Sequence, residues 1–107
     1  MRIVEYVDLR NRSPFASWFE ELDAAAAVKI TVALVRVEQG NLSNVKGVGD
    51  GVLEYRIDFG PGYRIYFGRE GDELVILLGG GTKRRQQDDI ERAKENWRIY
   101  KERRKTR

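Results

Sequence analysis

The sequence predicts an α+β domain: an antiparallel, mixed-edge sheet of about four strands, with a helical hairpin near the N-terminus on one face and a helix at the C-terminal end, in the order β-α-α-β-β-β-α. Three observations predict it. Apolar residues recur at helical spacing from Phe15 to Val37, the period falls to two from Leu53 to Phe67, and helical spacing returns from Ile90 to Tyr100. At 107 residues the chain suits one domain over 1–107, and its 41% hydrophobic content is enough to form a core without staples.

Residues 2–7 read as a first strand. Ser13 and Pro14 then fit an N-cap and first helical position before Phe15, Trp18, Phe19 and Leu22. Asp23 restarts a helix through Ala27, Ile30, Leu34 and Val37, with Gly40 suited to end it. Asn41 to Gly51 reads as a polar, glycine-rich loop containing Lys46. Leu53, Tyr55, Ile57 and Phe59 alternate as a strand, Gly60-Pro61-Gly62 makes a tight turn, and Tyr63, Ile65 and Phe67 return antiparallel. Leu74 to Leu78 is apolar at every position, as a central strand covered on both faces requires. Beyond Gly79-Gly80-Gly81 a last helix starts near Gln86, with Ile90, Ala93, Trp97 and Tyr100 facing the body.

Composition removes whole classes of chemistry. With neither Cys nor His there is no thiol nucleophile, disulfide, thiolate metal site or imidazole base. Neither a signal segment nor a membrane span is present, so a cytoplasmic protein is expected. Charge is polarised: residues 1–82 carry nine Lys/Arg against twelve Asp/Glu, whereas residues 83–107 carry eleven against five. The basic quarter, with a tail over about 101–107, fits either a polyanion surface or a solvated helix.

Strand alternation sets Glu54, Arg56 and Asp58 opposite the apolar residues of their strand, and Arg64 and Tyr66 join them from the next. This polar face is either a floor of functional groups or a solvated face of cross-strand charge pairs, such as Arg64 with Asp58 or Glu54, each contributing roughly 0.2–1 kcal/mol. Gly79-Gly80-Gly81-Thr82-Lys83-Arg84-Arg85 has two readings as well. Its flexible backbone and three cations suit a phosphate, or its glycines clear a packed corner. It is neither a Walker A loop nor a dinucleotide fingerprint.

The segments Glu54-Tyr55-Arg56-Ile57-Asp58-Phe59-Gly60-Pro61-Gly62-Tyr63-Arg64-Ile65-Tyr66-Phe67, Leu77-Leu78-Gly79-Gly80-Gly81-Thr82-Lys83 and Gln87-Asp88-Asp89-Ile90-Glu91-Arg92-Ala93 resemble the RelE/HigB toxin superfamily, in its phage-derived addiction-module killer branch. The likeness spans most of the chain and is strongest over 52–97. It implies a RelE-like fold and a type II toxin that cuts mRNA on the ribosome, without metal or cofactor, by attack of a ribose 2′-OH on the adjacent phosphate. By matched position it makes Arg64 a phosphate contact, Arg56 a strand cation, and Lys83 and Arg84 the basic pair that stabilises the transition state.

Two positions depart from the pattern: Asp58 stands where RelE keeps a basic lysine, and Ile90 where it keeps a tyrosine. Arg cannot act as a base near neutral pH, which leaves Glu54, Asp58, Tyr66 or a lysine of lowered pKa. Candidate RNA and ribosome contacts are Lys46, Arg85, Arg98, Lys101, Arg103 and Arg104. The implied partners are mRNA, the ribosome and a cognate antitoxin, HigA-like or similar, from the adjacent gene. Operator DNA would be reached only through that antitoxin, and no membrane is involved. A ParE-like gyrase inhibitor and a non-catalytic RNA-binding module are the alternatives.

Overall fold

Helix starts follow from side chains that satisfy otherwise unpaired N–H groups. The computed structural model describes residues 1–105; there Ser13 Oγ accepts from the Ala16 N–H at 3.0 Å, and Asp23 Oδ1 from that of Ala26 at 2.8 Å. These caps open α1 (Pro14–Glu20) and α2 (Ala24–Glu38). Gly40, at φ +84°, takes the left-handed conformation that ends α2. α3 (Gln86–Lys105) follows a 3₁₀ turn over Lys83–Arg85, and Thr106 and Arg107 of the expected basic tail lie outside the described residues.

The strands are β1 (Arg2–Glu5), β2 (Val45–Gly49), β3 (Val52–Ile57), β4 (Tyr63–Glu70) and β5 (Leu74–Thr82), in sheet order β1-β5-β4-β3-β2. β1 runs parallel to β5 and the other pairs are antiparallel, so the edge is mixed as expected. The sheet nevertheless has five strands, not about four. The fifth is β2, inside the segment expected to be a loop. Its two glycines and the register shift between Gly47 and Gly49 interrupt the alternation that identifies a strand in sequence.

The two faces of the sheet carry different helices. On one, α1 and α2 bring Phe15, Ala26, Ile30, Ala33 and Val37 onto Tyr55, Ile65, Phe67, Val75 and Leu77. On the other, Ile90, Ala93 and Trp97 of α3 cover Val52, Tyr66, Ile76 and Leu78. The uninterrupted apolar run of β5 follows directly, since Val75 and Leu77 serve one core and Ile76 and Leu78 the other. Trp97 anchors α3, and burial of this order costs about 3–5 kcal/mol to remove.

Gly79, Gly80 and Gly81 also differ from expectation: they continue β5 and pair with Tyr66, Ile65 and Arg64. Their smallness serves packing. A Cβ at Gly80 would collide with the Trp18 ring, and one at Gly81 with the Asp89 carboxylate. Clearing a packed corner is thus the role of Gly80 and Gly81, while Gly79 has open space above it.

Candidate active site

Register assembles the polar face row by row. Lys46, Glu54, Tyr66 and Gly79 are successive cross-strand partners, and so are Arg56, Arg64 and Gly81. Beyond the strand ends, the Gly62 N–H donates to the Phe59 carbonyl at 3.0 Å and the Lys83 N–H to that of Gly62 at 2.9 Å. These bonds tie the end of β5 to the β3–β4 turn. At φ +80° and with Arg64 Nη1 3.0 Å from where a Cβ would stand, Gly62 lets the guanidinium lie against the turn.

The result is a concavity of about 280 Å³ lined by Arg56, Asp58, Phe59, Gly60, Pro61, Gly62, Arg64 and Lys83. Three cations and one carboxylate from separate parts of the sequence converge there. Arg64 is 2% exposed and its Nε has no hydrogen-bond partner among the described residues, whereas Arg56, Asp58 and Lys83 are exposed. None of these four forms an ion pair among the described residues, so the alternative of cross-strand charge pairs joining Arg64 to Asp58 or Glu54 is not realised. A buried guanidinium with an unused donor beside two further cations is suited to a phosphate, through charge-assisted hydrogen bonds.

Glu54 and Tyr66 are not part of this floor. The face read as open is closed over them by the start of α3, and both are fully buried. Glu54 Oε2 accepts from Gln86 Nε2 at 2.8 Å, and its Oε1, lacking a hydrogen bond, has Lys46 Nζ at 3.8 Å. Among the described residues the Tyr66 hydroxyl makes no hydrogen bond of good geometry. Burial first, and the Glu54 charge second, push the phenol well above its ordinary range, so it stays protonated near neutral pH. Neither residue lines the concavity. Arg64 likewise belongs to the packed interior, not to an exposed face.

The remaining basic residues are dispersed. Arg84 is exposed beyond the concavity, and Arg85 lines a separate groove between α1 and α3 with Trp18, Asp89 and Arg92. Arg98 pairs with Glu95 at 2.6 Å and Arg104 with Glu70 at 3.0 Å, while Lys101 lies over the Trp97 ring and Arg103 over that of Tyr6. Lys46 lines a groove beside α2.

Gln86 and Asp89 escape sequence reading. Gln86 carries no motif. Asp89 has one signal, the absent side chain at Gly81 that makes room for it; burial raises its pKa against the opposing charges of Arg85 and Arg92. Among the described residues, no group of three or more His, Cys, Asp or Glu could hold a metal ion, and no helix is long and apolar enough to cross a membrane.

Comparison with known proteins adds a family to this geometry. The family described as "Phage derived protein Gp49-like (DUF891)" matches residues 17–100, which include every residue lining the concavity. A Haemophilus influenzae (strain Rd) protein described as "Uncharacterized protein" is 40% identical over 89 residues, 82% of this chain and 90% of the relative. The chain belongs to the phage-derived Gp49-like family, whose members are often toxins of toxin–antitoxin pairs.

Proposed function

We propose that this protein is the toxin of a type II toxin–antitoxin module, a RelE/HigB-like endoribonuclease that cuts mRNA on the ribosome by metal-independent 2′-OH attack. The observation that carries the reading is Arg64: buried, with an unused Nε donor, directly across from Arg56 and in one concavity with Lys83 and Asp58. Transesterification needs a base for the 2′-OH, cations for the phosphorane and an acid for the leaving oxygen.

Among the described residues Asp58 is the one carboxylate lining the concavity, and in this reading it takes the 2′-OH proton. The ribose 2′-oxygen bonds to phosphorus and the P–O5′ bond breaks. Arg56 and Arg64 hold the non-bridging oxygens, and the Lys83 ammonium supplies the proton that the 5′-oxygen needs. The products are a 2′,3′-cyclic phosphate and a 5′-hydroxyl. A carboxylate is a weak base, and positioning by the ribosome offsets part of that weakness.

The test is translation of a defined mRNA on purified ribosomes with mapping of new 5′ ends, beside a gyrase supercoiling assay. Discrete 5′-hydroxyl ends that vanish when the nucleotide 5′ of the cut carries a 2′-deoxyribose support the proposal. Cleavage of the deoxy substrate rejects the chemistry, and gyrase inhibition without cleavage replaces it with the ParE-like reading.

A further inference from the structure

α2 has two apolar stripes. Ala26, Ile30, Ala33 and Val37 enter the core, but Val28, Val32 and Val35, at spacings of four and three, are 61%, 43% and 45% exposed. A stripe of this kind along a 15-residue helix calls for a partner, since solvent-facing positions ordinarily carry polar side chains. Between it and the sheet lies a groove of about 650 Å³. Ala33, Val45, Tyr55 and Ile57 supply its apolar lining, and Lys29, Arg36, Lys46 and Arg56 its cations, with Asp58 the one acid present.

Two further features define the occupant. β2 is the outermost strand on this side of the sheet, so the groove opens at an edge with no further strand beyond it. The groove also runs into the proposed catalytic concavity, because Arg56, Asp58 and Phe59 line both. A chain seated along α2 therefore reaches Arg56 without crossing the body of the protein.

We propose that this groove receives an acidic amphipathic helix of the antitoxin, with apolar side chains against Val28 and Val32, acidic ones facing Lys29 and Arg36, and its end covering Arg56. The proposal rests on the toxin reading for the partner's role. Charge complementarity favours an acidic protein segment, and the apolar stripe favours a protein over a nucleic-acid strand, which would gain nothing from valines. Silencing then follows from occlusion, since the phosphate cations are covered by the same segment that holds the partner.

The experiment uses the full chain co-expressed with the product of the adjacent gene, comparing wild type with Val28→Asp/Val32→Asp and with Lys29→Glu/Arg36→Glu. None of these residues belongs to the catalytic machinery. Toxicity without the partner should persist in both variants, while affinity for the purified partner, measured by calorimetry, should fall at least 100-fold and rescue of growth be lost. Lys29→Glu/Arg36→Glu should also flatten the salt dependence of association. Wild-type affinity in both variants overturns the proposal. So does a wild-type homodimer in analytical ultracentrifugation that Val28→Asp/Val32→Asp dissociates while rescue persists, because the face then joins two copies of this chain. Reduced mRNA cleavage with unchanged partner affinity in Lys29→Glu/Arg36→Glu makes the groove an RNA track and overturns it too. A chain that is not toxic but binds the partner through this face defeats the toxin reading alone, whereas no complex with wild type defeats both.

Discussion

Arg56 on β3 and Arg64 on β4 stand directly opposite one another, and neither makes an ion pair among the described residues. Like charges at facing positions destabilise a sheet by a few tenths of a kcal/mol up to about 1 kcal/mol. An arrangement of that kind is relieved by a bound anion. Arg56→Ala is accordingly expected to leave the urea midpoint unchanged or slightly raised while mRNA cleavage falls on the order of 100-fold. Inorganic phosphate should raise the melting temperature of wild type and not of this variant.

Arg64 behaves differently because it is buried. Arg64→Ala removes a packed stem as well as a charge, and the expected cost is about 2–4 kcal/mol, read from urea denaturation. Arg64→Lys keeps the charge and much of the volume but loses the planar fork, so it should fold with a smaller loss and still fail to cleave. Wild-type cleavage by Arg64→Lys would show that bidentate phosphate contact is not required.

Tyr66 links the buried face to pH. Its phenol ionises well above the ordinary value because of burial and then of Glu54, so above about pH 10 the unfolded chain loses this proton while the folded chain keeps it. Stability present below that pH should therefore be lost as pH rises, by up to about 1.4 kcal/mol per pH unit from this group. Tyr66→Phe removes the effect together with an unpartnered hydroxyl. The variant should match or exceed wild type near pH 7 and lose stability less steeply above pH 10, as chemical melts at several pH values would show.

The glycine run of β5 gives a positional contrast. Gly80→Ala drives a Cβ into the Trp18 ring and should cost about 1–3 kcal/mol or more, whereas Gly79→Ala meets nothing and should stay within about 0.5 kcal/mol of wild type. Equal melting temperatures for the two would mean that Trp18 moves aside freely.

These residues also show what a sequence conveys and where it stops. The helices were legible because Ser13, Pro14, Asp23 and Gly40 mark their ends and apolar spacing marks their faces. β5 was legible as far as Leu78, where hydrophobicity stops although pairing continues to Thr82. β2 was hidden by its glycines and shifted register. In the site, alternation grouped Glu54, Arg56, Arg64 and Tyr66 on one face of the sheet, while Asp58, read as part of the same strand, stands just beyond the end of β3 at Ile57. It could not tell that the start of α3 covers two of them, because that depends on tertiary packing and on Gln86, a residue without a motif.

That division between covered and open groups separates the two carboxylates that sequence alone leaves equivalent. Asp58 lines the concavity and is exposed, whereas Glu54 is enclosed, bonded to Gln86 at 2.8 Å and approached by Lys46 at 3.8 Å. Asp58→Asn should therefore reduce the single-turnover cleavage rate by about 10²–10⁴-fold with an unchanged urea midpoint, as removal of a base in contact with substrate does. Glu54→Gln should do the reverse. It weakens a charge-assisted bond to Gln86 and removes the partner of Lys46, so stability should fall by about 1–3 kcal/mol while cleavage by the folded fraction stays within a few-fold of wild type. Gln86→Ala should reproduce that loss of stability, and combining it with Glu54→Gln should add little, because both act on the same bond. If Glu54→Gln abolished cleavage at full stability while Asp58→Asn remained active, the base would be the buried carboxylate, and the start of α3 would have to open before each turnover.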